Sequence, residues 1–359
     1  MTPRRPLGPN SRLLRLVRRL VMLAAGVLVF FLGLLLMKEG VVPVTPFLRT
    51  QLSVSSPASA LGFGWVLSSL ALSGSPVAAT ALSFQDAGAL SVRESFAMIA
   101  GSRLGASFVV VLVGFIYMLR GRSREMSLGA GLLALLVTQS TYIPALGVGL
   151  YFLRADWFNG VRFTAQQAME SPLDLLLNSI VSGFSRLFPL WLLLPIGFAL
   201  ILTSFRVIDR ALPTLRIEQT DLGRINRLLY RPLVTFLLGA AVTSVTLSVS
   251  LSLSLLVPLS ARGYIRQENA IPYIMGANIT TFVDTLVAAA MLGNPAAVTV
   301  VLAEMASVGL VSMLILLFVY RPYQRAIVGL MRRLALRRRW LTVYLAAIFA
   351  VPIILLFYY

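Results

Sequence analysis

Two serine-bearing apolar segments, one in each half of the chain, limit the possible folds more than any other feature of this sequence. Residues 64–107 align without a gap with residues 239–282, at a shift of 276 − 101 = 175 positions. Eight of the 44 aligned positions are identical. The identical residues are Gly64, Ser69, Leu72, Ser73, Ser75, Gly88, Ile99 and Gly101 in the first segment, and Gly239, Ser244, Leu247, Ser248, Ser250, Gly263, Ile274 and Gly276 in the second. Duplication of one structural unit accounts for this match.

The second segment combines a serine-dense apolar run with a Gly-Ala-Asn-Ile turn that an ordinary membrane helix does not need. Pro258 lacks a backbone donor and therefore disfavours a continuous helix after the serines. Backbone groups freed at such a break need partners inside the protein or in a wet cavity. Broken helix ends with hydroxyls and an amide can bind an anion or a hard cation. Alternatively, the serines and glycines only allow close helix packing, which is their commoner use in membranes.

The composition assigns the chain to the helical membrane proteins. Of its 359 residues, 58% are hydrophobic and 12% are charged, and the mean hydropathy is +0.87. Such a chain cannot cover a water-facing surface, which predicts an all-α polytopic membrane protein. The chain has no His and no Cys, and Lys38 is its single lysine. Since His general bases, thiol nucleophiles and nearly all transition-metal ligands are missing, we expect no enzyme activity and no cofactor.

Arginine placement predicts the topology. The net charge of +18 comes almost wholly from arginines in short segments between apolar runs. This pattern indicates cytoplasmic loops that contact anionic lipids, and it argues against nucleic-acid binding. The predicted spans are 20–37, 95–119, 127–153, 179–205, 269–291, 297–319 and 341–358. We predict a multi-pass protein of the plasma membrane, in a bacterium the inner membrane, with a cytoplasmic N-terminus.

The same arginines predict two re-entrant hairpins. Residues 38–58 are poor in basic residues, whereas Arg120, Arg122 and Arg124 mark the next inside loop. An outside start and an inside finish require an odd number of crossings, so residues 60–84 should enter the membrane and return. The second copy starts from the inside, so the two copies form an inverted repeat.

This topology divides the chain into five parts. They are a basic cytoplasmic N-terminus (1–19), a first repeat (20–153), an external connector (154–178), a second repeat (179–320) that includes a cytoplasmic loop (206–231), and a basic loop with the last span (321–359).

Arg103 and Asp284 are the two predicted intramembrane charges that most need a partner. An inverted repeat brings its two motif turns together near the midplane, so we hypothesise that Arg103 meets Asp284 or an anionic substrate there. Alternatively, Arg103 replaces a lost cation, or it extends to the outer headgroups while Asp284 pairs with backbone donors. Glu39 and Glu304 are weaker candidates, because both could lie near an interface.

Two pairs of short motifs connect the chain with a known family. The first pair is Leu72-Ser73-Gly74-Ser75 with Gly101-Ser102-Arg103-Leu104-Gly105-Ala106, and the second is Leu247-Ser248-Val249-Ser250 with Gly276-Ala277-Asn278-Ile279-Thr280-Thr281. Over roughly residues 25–320 the chain resembles the sodium/phosphate cotransporter family, whose repeats carry Gln-Ser-Ser-Ser and then Gly-Ala-Asn-Ile-Gly-Thr. Here both glutamines are leucine, and Arg103 stands at the first asparagine position.

The resemblance implies secondary active transport of inorganic phosphate or a related oxyanion, coupled to sodium, with a possible homodimer. The implied substrate-binding residues are Ser73, Ser75, Arg103, Ser248, Ser250, Asn278, Thr280 and Thr281. The implied sodium ligands are Ser73, Ser248, Asn278, Thr281 and Asp284. Because both motif glutamines are missing, the alternative is a transport-inactive or sodium-independent relative that serves as a membrane scaffold or regulator.

Overall fold

The computed structural model of the chain describes residues 9–51, 54–119, 124–158, 160–161, 172–211, 231–246, 252–253 and 267–357. Within these ranges the regular secondary structure is entirely helical. Seven described stretches are long and apolar enough to cross a bilayer: Val17–Thr50, Val92–Ile116, Leu128–Arg154, Leu190–Ile208, Asn269–Met291, Pro295–Leu336 and Arg338–Leu356. Each predicted span overlaps one of them. The all-α polytopic fold with about seven spans is therefore confirmed.

The helices of the first half are α1 (Pro9–Val41), which continues through a 3₁₀ turn (Val42–Val44), α2 (Thr45–Thr50), α3 (Pro57–Ala71), α4 (Ser75–Asp86), α5 (Val92–Ala106), α6 (Phe108–Leu119) and α7 (Arg124–Arg154). The later helices are α8 (Pro172–Leu187), α9 (Leu190–Ala211), α10 (Pro232–Thr246), α11 (Gln267–Thr280), α12 (Phe282–Met291), α13 (Pro295–Leu314) with a π-helical turn (Ile315–Val319), α14 (Tyr320–Leu336) and α15 (Arg338–Leu356).

The first serine segment folds as two short helices. Helix α3 begins at a capping box in which Ser56 accepts a hydrogen bond from the Ser59 backbone, and it has 15 residues. Leu72 then adopts a left-handed conformation with φ of 52°, and α4 follows with 12 residues. For a residue with a side chain this conformation costs about 1–2 kcal/mol. Neither helix reaches the roughly 20 residues that a crossing requires.

Both ends of this helix pair lie at the same end of the bundle. Asp86, the last residue of α4, forms a 2.6 Å salt bridge with Lys38 near the end of α1. Arg49 of α2, the helix that precedes α3, donates a 3.1 Å hydrogen bond to the Ala89 carbonyl. Asn294, before α13, donates to Asp86 at 3.0 Å and so connects the two halves at that end. This geometry fits the hairpin that the arginine pattern predicts for residues 60–84.

The duplicated segments form the same helix crossing twice. Helix α3 packs parallel to α5, and α10 packs against α11. At each crossing two glycines contact backbone carbonyls so closely that a Cβ would lie within 3.0 Å of them. The glycine and carbonyl pairs are Gly64 with Met98, Gly101 with Leu61, Gly239 with Tyr273, and Gly276 with Phe236. The second crossing repeats the first at the same shift of 175 residues, and small residues are what such close backbone approach requires.

Helices α1 and α9 form an antiparallel pair beside these crossings. Gly26 lies against Ile208, whereas Gly40, about four helical turns further along α1, lies against Leu194. Midway, Gly33 and Gly197 contact each other's carbonyls. The reciprocal contact gives this helix pair a local two-fold arrangement.

Several predicted features lie outside the described residues. They include most of the second serine segment, with Ser248 and Ser250, and its turn with Arg262 and Arg266. Most of the predicted loop 206–231 falls there as well. The second hairpin and the position of both hairpins relative to the bilayer stay predictions.

Candidate functional site

Arg103 is buried where the two halves of the chain meet, near the C-terminal end of α5, and its side chain is 6% exposed. Its Nη1 donates to the Ser75 hydroxyl at 3.2 Å and to the Thr281 hydroxyl at 3.1 Å. Its Nη2 donates to the Thr285 hydroxyl at 2.5 Å and to the Thr281 carbonyl at 3.5 Å. The guanidinium thus joins the start of α4 to the junction of α11 and α12.

Asp284 supplies the counter-charge to this guanidinium. Its Oδ1 lies 3.6 Å from Arg103 Nη2 and accepts a 2.8 Å hydrogen bond from the Thr285 hydroxyl. The Phe282 ring, on the same helix, lies 4.9 Å from the guanidinium carbon. A ring at this distance attracts a cation through its quadrupole. The contact between Arg103 and Asp284 that the sequence hypothesis proposes is therefore present, and neither side chain extends to the surface.

Most of the donors of Arg103 are already used within the protein. Both terminal nitrogens donate to oxygens of Ser75, Thr281 and Thr285, whereas Nε has no hydrogen-bond partner among the described residues. A two-donor contact with a phosphate needs two free N–H groups on one side of the guanidinium. In this conformation Arg103 offers one, so a bidentate contact with an oxyanion would require Arg103 to release a protein partner.

Asn278 occupies the position of the second copy that corresponds to Arg103. Its side-chain amide donates to the Thr138 hydroxyl at 3.0 Å, and its backbone carbonyl accepts a 3.0 Å hydrogen bond from the Tyr142 hydroxyl. The rings of Tyr142 and Phe282 lie 6.2 Å apart. The Gly-Ala-Asn-Ile motif, predicted to form a turn, is instead helical and forms the last part of α11. Helix α7 holds this helix end through Asn278 and connects it with the aromatic ring beside Arg103.

Replacing Tyr142 with phenylalanine should lower the free energy of unfolding by about 1 kcal/mol, because a buried carbonyl loses its hydroxyl donor. Tyr142 is 1% exposed, whereas Tyr151 on the same helix is 60% exposed and makes Tyr151→Phe the matched control. Unfolding of the detergent-solubilised protein, followed by tryptophan fluorescence, measures the difference. Equal stability of the two variants would contradict a structural role for this hydrogen bond.

The other predicted site residues are placed differently. Ser73 lies at the turn between α3 and α4, partly buried, and its backbone donates to the Ser68 carbonyl. The Thr280 hydroxyl donates to the Gly276 carbonyl of its own helix at 3.2 Å and makes no described hydrogen bond to Arg103. The structure thus brings together Ser75, Arg103, Thr281 and Asp284, with Asn278 close by through Phe282 and Tyr142.

Three further residues belong to this cluster although the motifs do not indicate them. Thr285 and Tyr142 bond directly to predicted residues, and Thr285 directly follows Asp284 in the sequence. Glu304 is 1% exposed in the middle of α13, so it is buried inside the protein, and its place relative to the membrane interface stays a prediction. Its place ten residues into an apolar helix was the available signal.

Part of the chain matches the sequence model of a known protein family. Residues 200–336, which run from the end of α9 to the end of α14, match the model of the Na+/Pi-cotransporter family. Over these residues, somewhat more than a third of the chain, the sequence is similar to the Na+/Pi-cotransporter family. This part contains Asn278, Asp284 and Glu304, and Arg103 contacts it from the preceding half. Searches of curated proteins and of solved structures found no match.

Proposed function

We propose that this chain is a member of the Na+/Pi-cotransporter family and a secondary active transporter of inorganic phosphate or a related oxyanion. The observation that carries the proposal is the buried polar cluster around Arg103, which both halves of a polytopic membrane protein build together. Charged side chains at membrane depth normally mark a partner or a pathway for a solute. In transporters with duplicated halves, the solute binds where the halves meet.

The proposed mechanism is alternating access in an inverted repeat. The crossing that recurs after 175 residues supports a common ancestor for the two units. The arginine pattern supports their opposite orientation and a cytoplasmic N-terminus, and the bacterial inner membrane stays a prediction. Movement of the hairpin helices relative to α1 and α9 would expose the cluster to each side in turn.

The proposed substrate ligands are hydroxyls and amides of both repeats together with Arg103. They are Ser73, Ser75, Arg103, Ser248, Ser250, Asn278, Thr280 and Thr281. A planar guanidinium suits a tetrahedral oxyanion because it can donate two parallel hydrogen bonds. In the proposed cycle the oxyanion takes over one of the donors that now faces Ser75 or Thr281. The arginines of α14 and of the segment after it would bind anionic lipids, and a homodimer stays a prediction.

Sodium is the coupling ion that the family suggests, with Ser73, Ser248, Asn278, Thr281 and Asp284 as proposed ligands. A sodium-independent transporter is the second candidate, and the contacts of Arg103 favour it. Its guanidinium lies among the oxygens of Ser75, Thr281, Thr285 and Asp284. Hard cations need several such oxygen ligands, so a permanent positive charge already fills the described part of the site.

Radiolabelled phosphate uptake into proteoliposomes tests the proposal. We expect uptake above that of protein-free liposomes, because both halves of the site are present. A requirement for an inward sodium gradient would select the sodium-coupled form, and equal uptake in choline buffer would select the sodium-independent form. Absence of phosphate, arsenate and sulfate flux under all gradients would contradict transport and favour the scaffold or regulator.

A further inference from the structure

Four charged side chains are buried among the described residues: Glu94, Arg103, Asp284 and Glu304. Glu94 completes a capping box by accepting a 2.7 Å hydrogen bond from the Ser91 backbone. Arg103 and Asp284 form the ion pair described above. Glu304 forms no salt bridge in the part of the chain that the structure describes, and its Oε2 has no hydrogen-bond partner there. Glu304 is thus the buried charge that pairing or capping does not explain.

The hydrogen bonds of Arg103 favour one of the two acidic side chains, Asp284, over the other, Glu304. It interacts electrostatically with Glu304, but its terminal nitrogens donate to the hydroxyls around Asp284. The cluster therefore contains one positive group and two acids. A carboxylate without a counter-ion at this depth is strongly disfavoured, so Glu304 must be neutralised by a proton or by a bound cation.

The surroundings of Glu304 fit a proton better than a metal ion. The hydroxyls of α13 on either side of it bond to backbone carbonyls of their own helix, Ser307 to Glu304 at 2.9 Å and Thr299 to Pro295 at 3.1 Å. A hard cation needs several oxygen ligands. A proton needs only the one oxygen that lacks a partner.

Ionisable groups on the helices packed against α13 support this assignment. Arg103 on α5 and Tyr142 on α7 interact electrostatically with Glu304. The remaining buried or bonded groups have other partners: Asp284 on α12 pairs with Arg103, Tyr273 on α11 bonds to Ser252, and Asp86 on α4 pairs with Lys38. A turn beyond Glu304, Ser307 lies against Gly149 of α7. Glu304 is thus coupled to the substrate cluster by its electrostatic interaction with Arg103.

We propose that Glu304 binds the coupling ion of this transporter and that this ion is a proton. The inference rests on the proposed function in its sodium-independent form. Glu304 takes up one proton from the side to which the site is open and releases it on the other side, with the oxyanion. Protonation of Glu304 also affects Arg103, because a neutral Glu304 leaves the charge of the guanidinium free to interact with Asp284 and the substrate.

Transport by Glu304→Gln tests the proposal, because glutamine imitates the protonated acid and cannot release a proton. In sodium-free liposomes an inward proton gradient should drive phosphate accumulation by the unmodified protein. Glu304→Gln should reduce this accumulation at least about tenfold, a barrier increase of about 1.4 kcal/mol, while phosphate exchange without a gradient falls much less. Glu39→Gln is the matched control, since Glu39 is exposed near the end of α1. Undiminished accumulation by Glu304→Gln would overturn the proposal, and so would accumulation that only a sodium gradient drives.

Infrared difference spectroscopy tests the proton itself without any transport. The unmodified protein should show the C=O stretch of a buried protonated carboxylic acid, which disappears on raising the pH and is missing in Glu304→Gln. Presence of this band in a protein that moves no oxyanion would keep the proton site and reject the proposed function. An unchanged band in Glu304→Gln would reject the proton site, whatever the flux.

If Glu304→Gln does not fold, absence of any such band from the unmodified protein over the whole accessible pH range overturns the proposal, and a band that titrates supports it.

Discussion

Arg103→Ala is expected to lower the free energy of unfolding by about 3–5 kcal/mol, because removal of one partner leaves the other charge buried without compensation. Asp284 would lose its counter-charge and keep only uncharged donors such as the Thr285 hydroxyl. The hydroxyls of Ser75 and Thr281 would lose their bonds to the guanidinium. Because these groups form the proposed site, phosphate flux should fall to the protein-free level. Unfolding in mixed micelles and uptake into proteoliposomes measure the two effects.

Arg93→Ala is the matched control, since Arg93 lies on the same helix but is exposed. It should change the stability by less than about 0.5 kcal/mol. A double variant, Arg103→Ala with Asp284→Asn, removes both charges and should recover part of the lost stability. Additive effects of the two substitutions would show that the residues are not coupled and would contradict the ion pair.

Gly101→Ala and Gly276→Ala are each expected to lower the free energy of unfolding by about 3 kcal/mol, near the upper end of the usual cost of overpacking. A Cβ at Gly101 would overlap the Leu61 carbonyl, and a Cβ at Gly276 would overlap the Phe236 carbonyl. A carbonyl belongs to the backbone, so it cannot turn aside as a side chain can. Each substitution must therefore push apart the two helices that cross at that glycine.

Gly147→Ala controls for the change of residue type, because no atom lies within 4 Å of a Cβ at this helical glycine. Alanine favours a helix over glycine by roughly 0.8–1 kcal/mol, so this variant should be as stable as the unmodified protein or slightly more so. Thermal unfolding of the three variants in one detergent gives the comparison. Similar stabilities for all three would contradict the close backbone contacts.

The sequence predicted the number of spans and the break in the first serine segment for a simple physical reason. The length of an apolar run and the position of arginines are properties of the chain alone, and the bilayer acts on them directly. Likewise, Gly101 and Gly276, which the sequence repeats at a shift of 175 residues, lie at two equivalent helix crossings. A residue without a Cβ is needed wherever two backbones touch.

The partners inside the site were harder to predict, since they depend on which helix faces which. The pair of Arg103 and Asp284 was expected, because two buried opposite charges have few other choices. The contacts of Thr285 and Tyr142 were not expected, because threonine and tyrosine are common in membrane helices and carry no charge that demands a partner. The depth of Glu304 depends on where α13 begins, and Asn294 fixes that point by accepting a hydrogen bond from the Ala296 backbone.

The two copies share one backbone frame but differ in chemistry at the position where they meet. Arg103 in the first copy brings a full charge, and Asn278 at the corresponding place in the second brings a neutral amide. Interchange of the two halves by a local two-fold would therefore not restore the same electric field. In the proposed transporter no symmetry therefore makes the inward-open and outward-open forms equal in energy, and we expect the resting protein to favour one of them.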